Sequence, residues 1–360
     1  LAERYRDEMK KEIPELDAVV GIGSNGKICD IIREILLDKQ AVCSYGAKTE
    51  LSMEGGRIIS TEPFYAYIKI AEGCSNNCTY CAIPSIRGKY RSRRMEDIVK
   101  EARWLAENGV TELVVVAQDT TRYGEDIYGK SMLPELLTAL CEIDGFKWIR
   151  TLYCYPERIT DELLDVIAKE DKLVKYLDMP IQHCDKTILK RMNRHGDRET
   201  LTALIKKIRE KIPNVTLRTT LITGFPGETK EQFEELCEFV KEIRFERLGC
   251  FAYSPEEGTP AEKFEDQVPL KDRERRAEII MEEQMIISDS LNEAALDSEV
   301  EVVCEGFDRY AECYYGRSQA DAPEIDGKIF FLSEDKVRVG EYVKVKIDDT
   351  MDYDLIGSKM

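Results

Sequence analysis

The sequence predicts an α/β protein built around a partial (βα)6 barrel, with a remnant of a small α/β domain before it and a small antiparallel β-barrel after it. From about residue 64, short β-rich runs alternate with amphipathic helical stretches, which is typical of parallel strands joined by helices. The last part instead has short alternating runs split by Gly and Asp, which is typical of a small antiparallel barrel. We therefore expect three domains, at residues 1–60, 61–296 and 297–360.

Six strand–helix steps make up the central domain. Chemistry in parallel barrels gathers where the strands end, so candidate site residues should follow the strands. The predicted helices lie at about 95–108, 132–142, 160–169, 197–211 and 229–243, with a short helical turn at 186–191. The predicted strands are 65–71, 112–117, 148–153, 175–179, 216–223 and 247–252.

The flanking segments also have recognisable patterns. A strand at 16–20 and a helix at 28–37 enclose a glycine-rich stretch at 21–26, which matches G-x-G-x-x-G. That match is a weak signal for a dinucleotide site, since no acidic residue ends a second strand about twenty residues on, and a glycine-rich turn is the better interpretation. Residues 271–296 predict one long charged helix, followed by strands at 300–304, 328–331 and 342–347.

Composition and charge narrow the function. The formal net charge of −18 repels nucleic-acid phosphates and favours a basic partner. We expect no membrane span, because no run of eighteen apolar residues is present, and the charged N-terminus has no apolar signal core. Twelve cysteines without a signal peptide indicate a reducing cytoplasmic setting and thiolate ligands rather than disulfides.

A cysteine triplet follows the first barrel strand. Cys74, Cys78 and Cys81 have the spacing C-x3-C-x2-C. Zinc usually takes four protein ligands, whereas three thiolates suit a 4Fe-4S cluster with one iron left open to a small molecule. Structural buried cysteines and a three-cysteine zinc site are the alternatives. The clustering and the polar residues at 75–77 argue against structural cysteines.

Longer motifs around the triplet carry a family resemblance. Residues 72–84 (EGCSNNCTYCAIP), 218–229 (RTTLITGFPGET) and 251–260 (FAYSPEEGTP) resemble the methylthiotransferase family of the radical S-adenosylmethionine superfamily. The C-terminal part resembles the family's TRAM domain, an OB-like barrel. The resemblance implies a 4Fe-4S cluster and S-adenosylmethionine as cofactors, with reductive cleavage of the latter to a deoxyadenosyl radical.

The resemblance extends to one of the family's two branches. Residues 176–194 and 253–258 look like the branch that modifies the β-carbon of an aspartate in ribosomal small-subunit protein twelve. The other branch, which modifies an adenosine in transfer RNA, is the alternative. Residues 299–360 hold fifteen acidic against eight basic side chains, a balance of −7. That balance favours a basic ribosomal protein over direct nucleic-acid binding, unless the acidity is only solvated surface.

The family implies positions for the cofactor. By resemblance, the backbone of Tyr80 lies near the adenine, and Gln118 and Asp119 lie where the family binds the methionine amino group. A polar cap at the end of a strand is the alternative for the last two residues. His183 could face the substrate, although a structural role is commoner for a lone histidine, and His195 lies in a basic segment that we expect at the surface.

The fifth strand and the turn after it add five further candidates. Glycine permits close backbone approach to a cofactor, and an acidic residue near a helix N-terminus is favourable. A plain strand-to-helix turn is the alternative interpretation. The candidates for cofactor contact are Arg218, Thr220, Gly224, Gly227 and Glu228.

The resemblance also implies a second 4Fe-4S cluster, held by three cysteines of an N-terminal domain. The last of those cysteines immediately precedes a stretch like residues 1–5, and Cys29 and Cys43 do not match the ligand positions. We therefore expect this chain to begin after those ligands and to be limited to cleavage of S-adenosylmethionine. An electron donor such as flavodoxin or ferredoxin is the expected partner. A third hypothesis is a cluster that serves only structure or electron transfer.

Overall fold

The computed structural model describes residues 1–38 and 42–360. The N-terminal region contains helices α1 (Ala2–Glu12) and α2 (Ile28–Asp38) and strands β1 (Ala18–Val20) and β2 (Val42–Ser44). The two strands are parallel, with Ala18 opposite Val42. The glycine-rich stretch between them forms a short 3-10 helix, which agrees with the turn interpretation.

Six parallel strands form the central barrel, as predicted. They lie in two three-stranded sheets, β3-β6-β7 and β8-β9-β10, which a parallel bridge between Ile149 and Leu173 connects. A two-residue antiparallel ribbon, β4 with β5, follows the first strand. The strands of this region are β3 (Tyr65–Lys69), β4 (Ala71–Glu72), β5 (Arg91–Ser92), β6 (Glu112–Val116), β7 (Trp148–Thr151), β8 (Tyr176–Asp178), β9 (Thr216–Thr223) and β10 (Arg247–Ala252).

Helices cover the outside of the barrel, and side-chain caps fix where several of them begin. Asp197 and Thr229 each form a reciprocal capping box, which satisfies backbone N–H groups that the first helical turn leaves unpaired. The apolar faces of the helices pack with the strands into one continuous core. The helices are α3 (Ile83–Arg87), α4 (Met95–Glu107), α5 (Glu125–Tyr128), α6 (Leu133–Cys141), α7 (Asp161–Lys169), α8 (Lys186–Arg191), α9 (Arg198–Lys211) and α10 (Lys230–Ile243).

A long helix, α11 (Leu270–Ala294), leads to a closed five-stranded barrel, which we call the C-terminal barrel. Its order is β11-β12-β13-β15-β14, and within it the β13–β15 pair is parallel while the other four pairs are antiparallel. The predicted antiparallel barrel is therefore present with one parallel closure. The strands are β11 (Glu299–Asp308), β12 (Cys313–Arg317), β13 (Ile329–Leu332), β14 (Tyr342–Met351) and β15 (Asp354–Lys359).

The C-terminal barrel closes the end of the central barrel where the strands begin. Glu112, the first residue of β6, accepts hydrogen bonds from Arg150 (3.0 Å) and from Arg317 of β12 (2.6 Å). All three side chains are almost completely buried. The cysteine triplet lies towards the opposite end, after the first barrel strand ends. Within the described residues, no helix is both long and apolar enough to cross a membrane.

Candidate active site

The cysteines lie in a loop at residues 73–90, the cluster loop, which the β4–β5 ribbon closes at its base. Gly73 has a φ of +78°, and a Cβ atom there would lie 2.4 Å from the carbonyl oxygen of Lys89. The next residue, Cys74, donates its backbone N–H to the carbonyl of Gly88 at 3.1 Å. A glycine is therefore required where the loop folds back on itself.

The three thiols share one environment. Cys74 and Cys78 are buried, and Cys81 is half-buried. Burial is the main cause that raises the pKa of Cys74 to about 11, and the charges of Cys78, Asp119 and Cys81 act in the same direction. Three thiolates at close quarters repel one another unless metal cations lie between them. This all-thiol donor set fits the irons of a 4Fe-4S cluster.

The described residues do not form a site for a single metal ion. Among residues 1–38 and 42–360, no three His, Cys, Asp or Glu side chains converge on one point as they would for a single metal ion. A 4Fe-4S cluster does not need that convergence, because each thiolate binds a different iron. The assignment of Cys74, Cys78 and Cys81 as its ligands stays a prediction.

A cavity of about 530 Å³, which we call the thiol cavity, opens beside the cysteines. Gln118 lines it, and the Oε1 atom of Gln118 is buried without a hydrogen-bond partner among the described residues. A buried, unpaired acceptor is costly, so it indicates a donor that binds there. An ammonium group of a ligand meets that requirement. The other lining residues include Tyr67, Lys69, Cys74, Cys81, Tyr153, Tyr155 and Ile325.

Asp119 has a different environment from its neighbour. Its carboxylate accepts hydrogen bonds from Asn76 (2.8 Å) and from Thr121 (2.5 Å), and burial raises its pKa. Asn76 belongs to the cluster loop, and its side-chain oxygen also accepts from Arg122 at 2.9 Å. These contacts make Asp119 an anchor for the cluster loop, and its contact with the methionine amino group stays a prediction.

Two of the candidates for cofactor contact, Arg218 and Thr220, lie on β9. Arg218 donates to Asp178 at 2.9 Å and lies 3.6 Å from Asp326 of the C-terminal barrel, so it belongs to the junction of the two barrels. Alternate residues of this strand are half-buried, so Arg218, Thr220 and Ile222 share one face. Ile222 and Tyr80 both pack against a small apolar cluster that includes Ile188 and Phe225. The structure thus places Tyr80 and the end of β9 against the same cluster.

Contacts within the protein account for the residues of the turn after β9. A Cβ atom at Gly224 would lie 2.2 Å from Cγ of Arg273, and one at Gly227 would lie 2.6 Å from Oδ2 of Asp266. The Glu228 carboxylate accepts from the Gly224 backbone at 2.7 Å and from Arg276 at 2.8 Å. Burial raises the pKa of Glu228 to about 6. These contacts explain the motif by packing alone, and its cofactor role stays a prediction.

Of the two histidines, His183 is fully buried. Its Nδ1 accepts from the backbone N–H of Asp185 at 2.9 Å, and its Nε2 lies 3.8 Å from Glu228. Burial, together with the charge of Arg276, lowers the pKa of His183 to about 3. The structural role is therefore the better interpretation of His183, while His195 is exposed as expected.

The comparisons with known proteins agree with these motifs. Residues 68–240 match the radical SAM superfamily, and residues 298–359 match the TRAM domain. Curated proteins called ribosomal protein uS12 methylthiotransferase RimO are similar over 99% of this chain and 80–81% of their own length. They come from Clostridium tetani (48% identical), Clostridioides difficile (50%) and Caldanaerobacter subterraneus (49%). The chain belongs to the RimO family. The predicted family, enzyme class and fold are thereby confirmed, while the domain boundaries stay predictions.

Two residues that contribute to this RimO-family site were not predicted from the sequence. Ile325, in the loop before β13, lines the thiol cavity, so the C-terminal barrel forms part of its wall. Arg194 lies in the basic segment around His195, at residues 190–198, which we expected at the surface, and that prediction is wrong for Arg194, which is only 4% exposed. The guanidinium of Arg194 lies over the ring of Tyr155, 4.1 Å from its centre. An arginine within a run of basic residues carries no sign of burial in the sequence.

Proposed function

We propose that this protein adds a methylthio group to the β-carbon of an aspartate in ribosomal protein uS12. The observation that carries the proposal is the similarity of 47–50% identity, over 99% of the chain, to uS12 methylthiotransferases. The thiol cavity supports it, because Cys74, Cys81 and an unpaired glutamine acceptor line it at the end of the barrel where such chemistry occurs.

Each part of the site has a proposed task. Cys74, Cys78 and Cys81 would hold a 4Fe-4S cluster, which supplies the electron that cleaves the carbon–sulfur bond of bound S-adenosylmethionine. Gln118 orients the ammonium group of that cofactor through its Oε1 atom. The backbone of Tyr80 would lie near its adenine.

The choice of substrate depends on the C-terminal barrel. Binding of transfer RNA requires a basic face, but Arg338, Lys346 and Lys359 each form an ion pair with an acidic side chain. Arg317, a fourth basic residue, is buried between Glu112 and Glu305. With a balance of −7 over residues 299–360, this barrel suits a basic protein.

Complete transfer needs a sulfur source and an electron donor. We infer that a second 4Fe-4S cluster supplies the former, and that a flavodoxin or ferredoxin in the cytoplasm supplies the latter. Cys29 and Cys43, the cysteines of the N-terminal region, are both exposed, and each lies on a separate element. They do not form a ligand set like the cluster loop.

Transfer of deuterium tests the substrate without the second cluster. The chain is reconstituted with iron and sulfide, reduced, and mixed with S-adenosylmethionine and uS12 that carries β-deuterated aspartate. We expect 5′-deoxyadenosine that contains deuterium, measured by mass spectrometry. A parallel reaction uses transfer RNA that carries deuterated adenosine, and there we expect none.

Two controls make the result decisive. Cys78→Ala should abolish deoxyadenosine, whereas Cys141→Ala, which removes a buried thiol at the C-terminal end of α6, should not. Deuterium from transfer RNA but not from uS12 would assign the protein to the other branch. Absence of deoxyadenosine from a fully loaded protein would leave a structural or electron-transfer cluster.

A further inference from the structure

A buried arginine lies against the cluster loop without a full counter-charge. Arg194 is 4% exposed, and its closest carboxylate oxygen is that of Glu157, 3.6 Å from Nε. This Nε atom makes no hydrogen bond with any described residue. A buried cation is costly unless an anion close by compensates it.

The remaining contacts of Arg194 are neutral. Nη2 donates to the carbonyl of Pro180 at 3.0 Å, and Nη1 lies 3.5 Å from the hydroxyl of Tyr80, the residue just before Cys81. The guanidinium also lies over the ring of Tyr155. These contacts hold the group in place, but they do not neutralise its charge.

Tyr155 connects this cation to a cluster cysteine. Its hydroxyl lies 3.3 Å from the sulfur of Cys78. The face of the ring therefore binds the guanidinium, while its edge presents an O–H group to the thiol. Hydrogen bonds to cysteine sulfur and the net charge nearby are two of the factors that set the reduction potential of an iron–sulfur cluster.

We propose that Arg194 is the compensating cation for the 4Fe-4S cluster and raises its reduction potential, with Tyr155 as the intermediate contact. The inference rests on the proposed function, since it requires the cluster at Cys74, Cys78 and Cys81. Three thiolates give the cluster a net negative charge, and one-electron reduction adds a further negative charge. A fixed cation in a buried site favours the reduced state. The electron comes from an external one-electron donor, and no bond forms or breaks in this step.

The test is the midpoint potential of the reconstituted cluster, followed by electron paramagnetic resonance during titration with dithionite. Arg194→Gln removes the charge, and we expect the equilibrium for electron uptake to weaken about tenfold, which is about 59 mV for a one-electron couple. Arg194→Lys keeps the charge and should retain more of the potential. Arg198→Gln, an arginine paired with Glu242 at the surface, is the matched control and should have no effect.

A second variant predicts the opposite sign. Glu157→Gln removes the partial counter-charge of Arg194 from a half-exposed position, so the potential should rise. This variant decides the question if Arg194→Gln does not fold. A potential that is unchanged in Arg194→Gln, or that is unchanged or lower in Glu157→Gln, overturns the inference. A wild-type chain that assembles no cluster instead contradicts the proposed function.

Discussion

The two ends of the central barrel differ in how their buried charged and polar groups are paired. Where the strands begin, the carboxylate of Glu112 is shared by two guanidinium groups, and Arg317 also donates to Glu305 at 2.5 Å. Where the strands end, the Oε1 atom of Gln118 and the Nε atom of Arg194 are buried without hydrogen-bond partners among the described residues. The paired end joins two domains, whereas the unpaired end surrounds the cysteines.

This difference distinguishes buried polar groups that stabilise the fold from buried polar groups that can pair with a ligand. Burial alone would raise the pKa of Glu112, but the charges of Arg317 and Arg150 lower it below its usual value, so the carboxylate stays ionised. In this network both oxygens of the Glu112 carboxylate are paired, and Nη2 of Arg150 is the buried nitrogen that has no hydrogen-bond partner among the described residues. Unpaired buried atoms keep a desolvation cost until a ligand pairs with them. The first group should therefore control stability, and the second should control binding.

The largest expected effect is at the paired end. Glu112→Gln leaves two buried guanidinium groups without their shared carboxylate, and loss of one partner of a buried ion pair costs about 3–5 kcal/mol. We expect the free energy of unfolding, from urea titration, to fall by that amount. The cluster that the remaining folded protein assembles should keep its spectrum.

An ion pair at the same junction provides the control. Lys147 and Glu301 join the two barrels at 2.6 Å, but each side chain is 41% exposed. Glu301→Gln should therefore change the free energy of unfolding by less than about 1 kcal/mol. Equal losses in the two variants would contradict the view that burial, rather than position at the junction, sets the effect.

His183 tests an unpaired atom that lies outside the thiol cavity. Its folded-state pKa of about 3 is below the value of about 6.5 for an unfolded histidine, so between these values the unfolded chain binds a proton that the folded chain does not. Stability is therefore full above about pH 6.5 and falls as the pH decreases. The slope from this residue approaches about 1.4 kcal/mol per pH unit.

His183→Asn should flatten this dependence, because asparagine can still accept from the backbone N–H of Asp185 and does not titrate. The matched variant is His195→Asn, since His195 is the other histidine and is exposed. Unfolding by urea at several values between pH 5 and 7.5 measures both. A wild-type slope that His183→Asn leaves unchanged would exclude this histidine as its source.

Much of the fold and the cluster loop could be predicted, because those signals are local. Strand β9 has the predicted bounds, since alternating residues at 216–223 reveal its two faces. The spacing of the cysteines is equally local. The parallel pairing of β13 with β15 is different, because it depends on contacts between strands far apart in the sequence. The strands β12 and β15 are short and were not predicted.

The network around the site could not be predicted for the same reason. Arg194 contacts Tyr155, 39 positions earlier in the chain, and Ile325 reaches the thiol cavity from a different domain. Neither residue stands out by type or spacing. For Glu228 the sequence motif suggested contact with the cofactor. In the structure its carboxylate instead accepts hydrogen bonds from Arg276 and from the backbone of its own turn.

The smallest expected effect on stability, but a clear one on binding, is at Gln118. Gln118→Leu removes an unpaired buried acceptor, so the free energy of unfolding should stay equal or rise slightly. Affinity for S-adenosylmethionine should fall about tenfold, because a hydrogen bond to a charged group is lost. Anaerobic calorimetric titration of the oxidised, reconstituted protein measures this affinity.

Gln284, in α11, supplies the converse case, because its Oε1 atom is also unpaired among the described residues but its Nε2 atom donates to the carbonyl of Phe245 at 2.9 Å. Gln284→Leu should therefore lose about 1–3 kcal/mol of stability and leave affinity for S-adenosylmethionine unchanged. Gln118→Leu should lower affinity but not stability, and Gln284→Leu should lower stability but not affinity. This pair of results would show that the ligand pairs with the Oε1 atom of Gln118. Equal affinities in Gln118→Leu and the unmodified protein would instead place the ammonium group elsewhere in the thiol cavity.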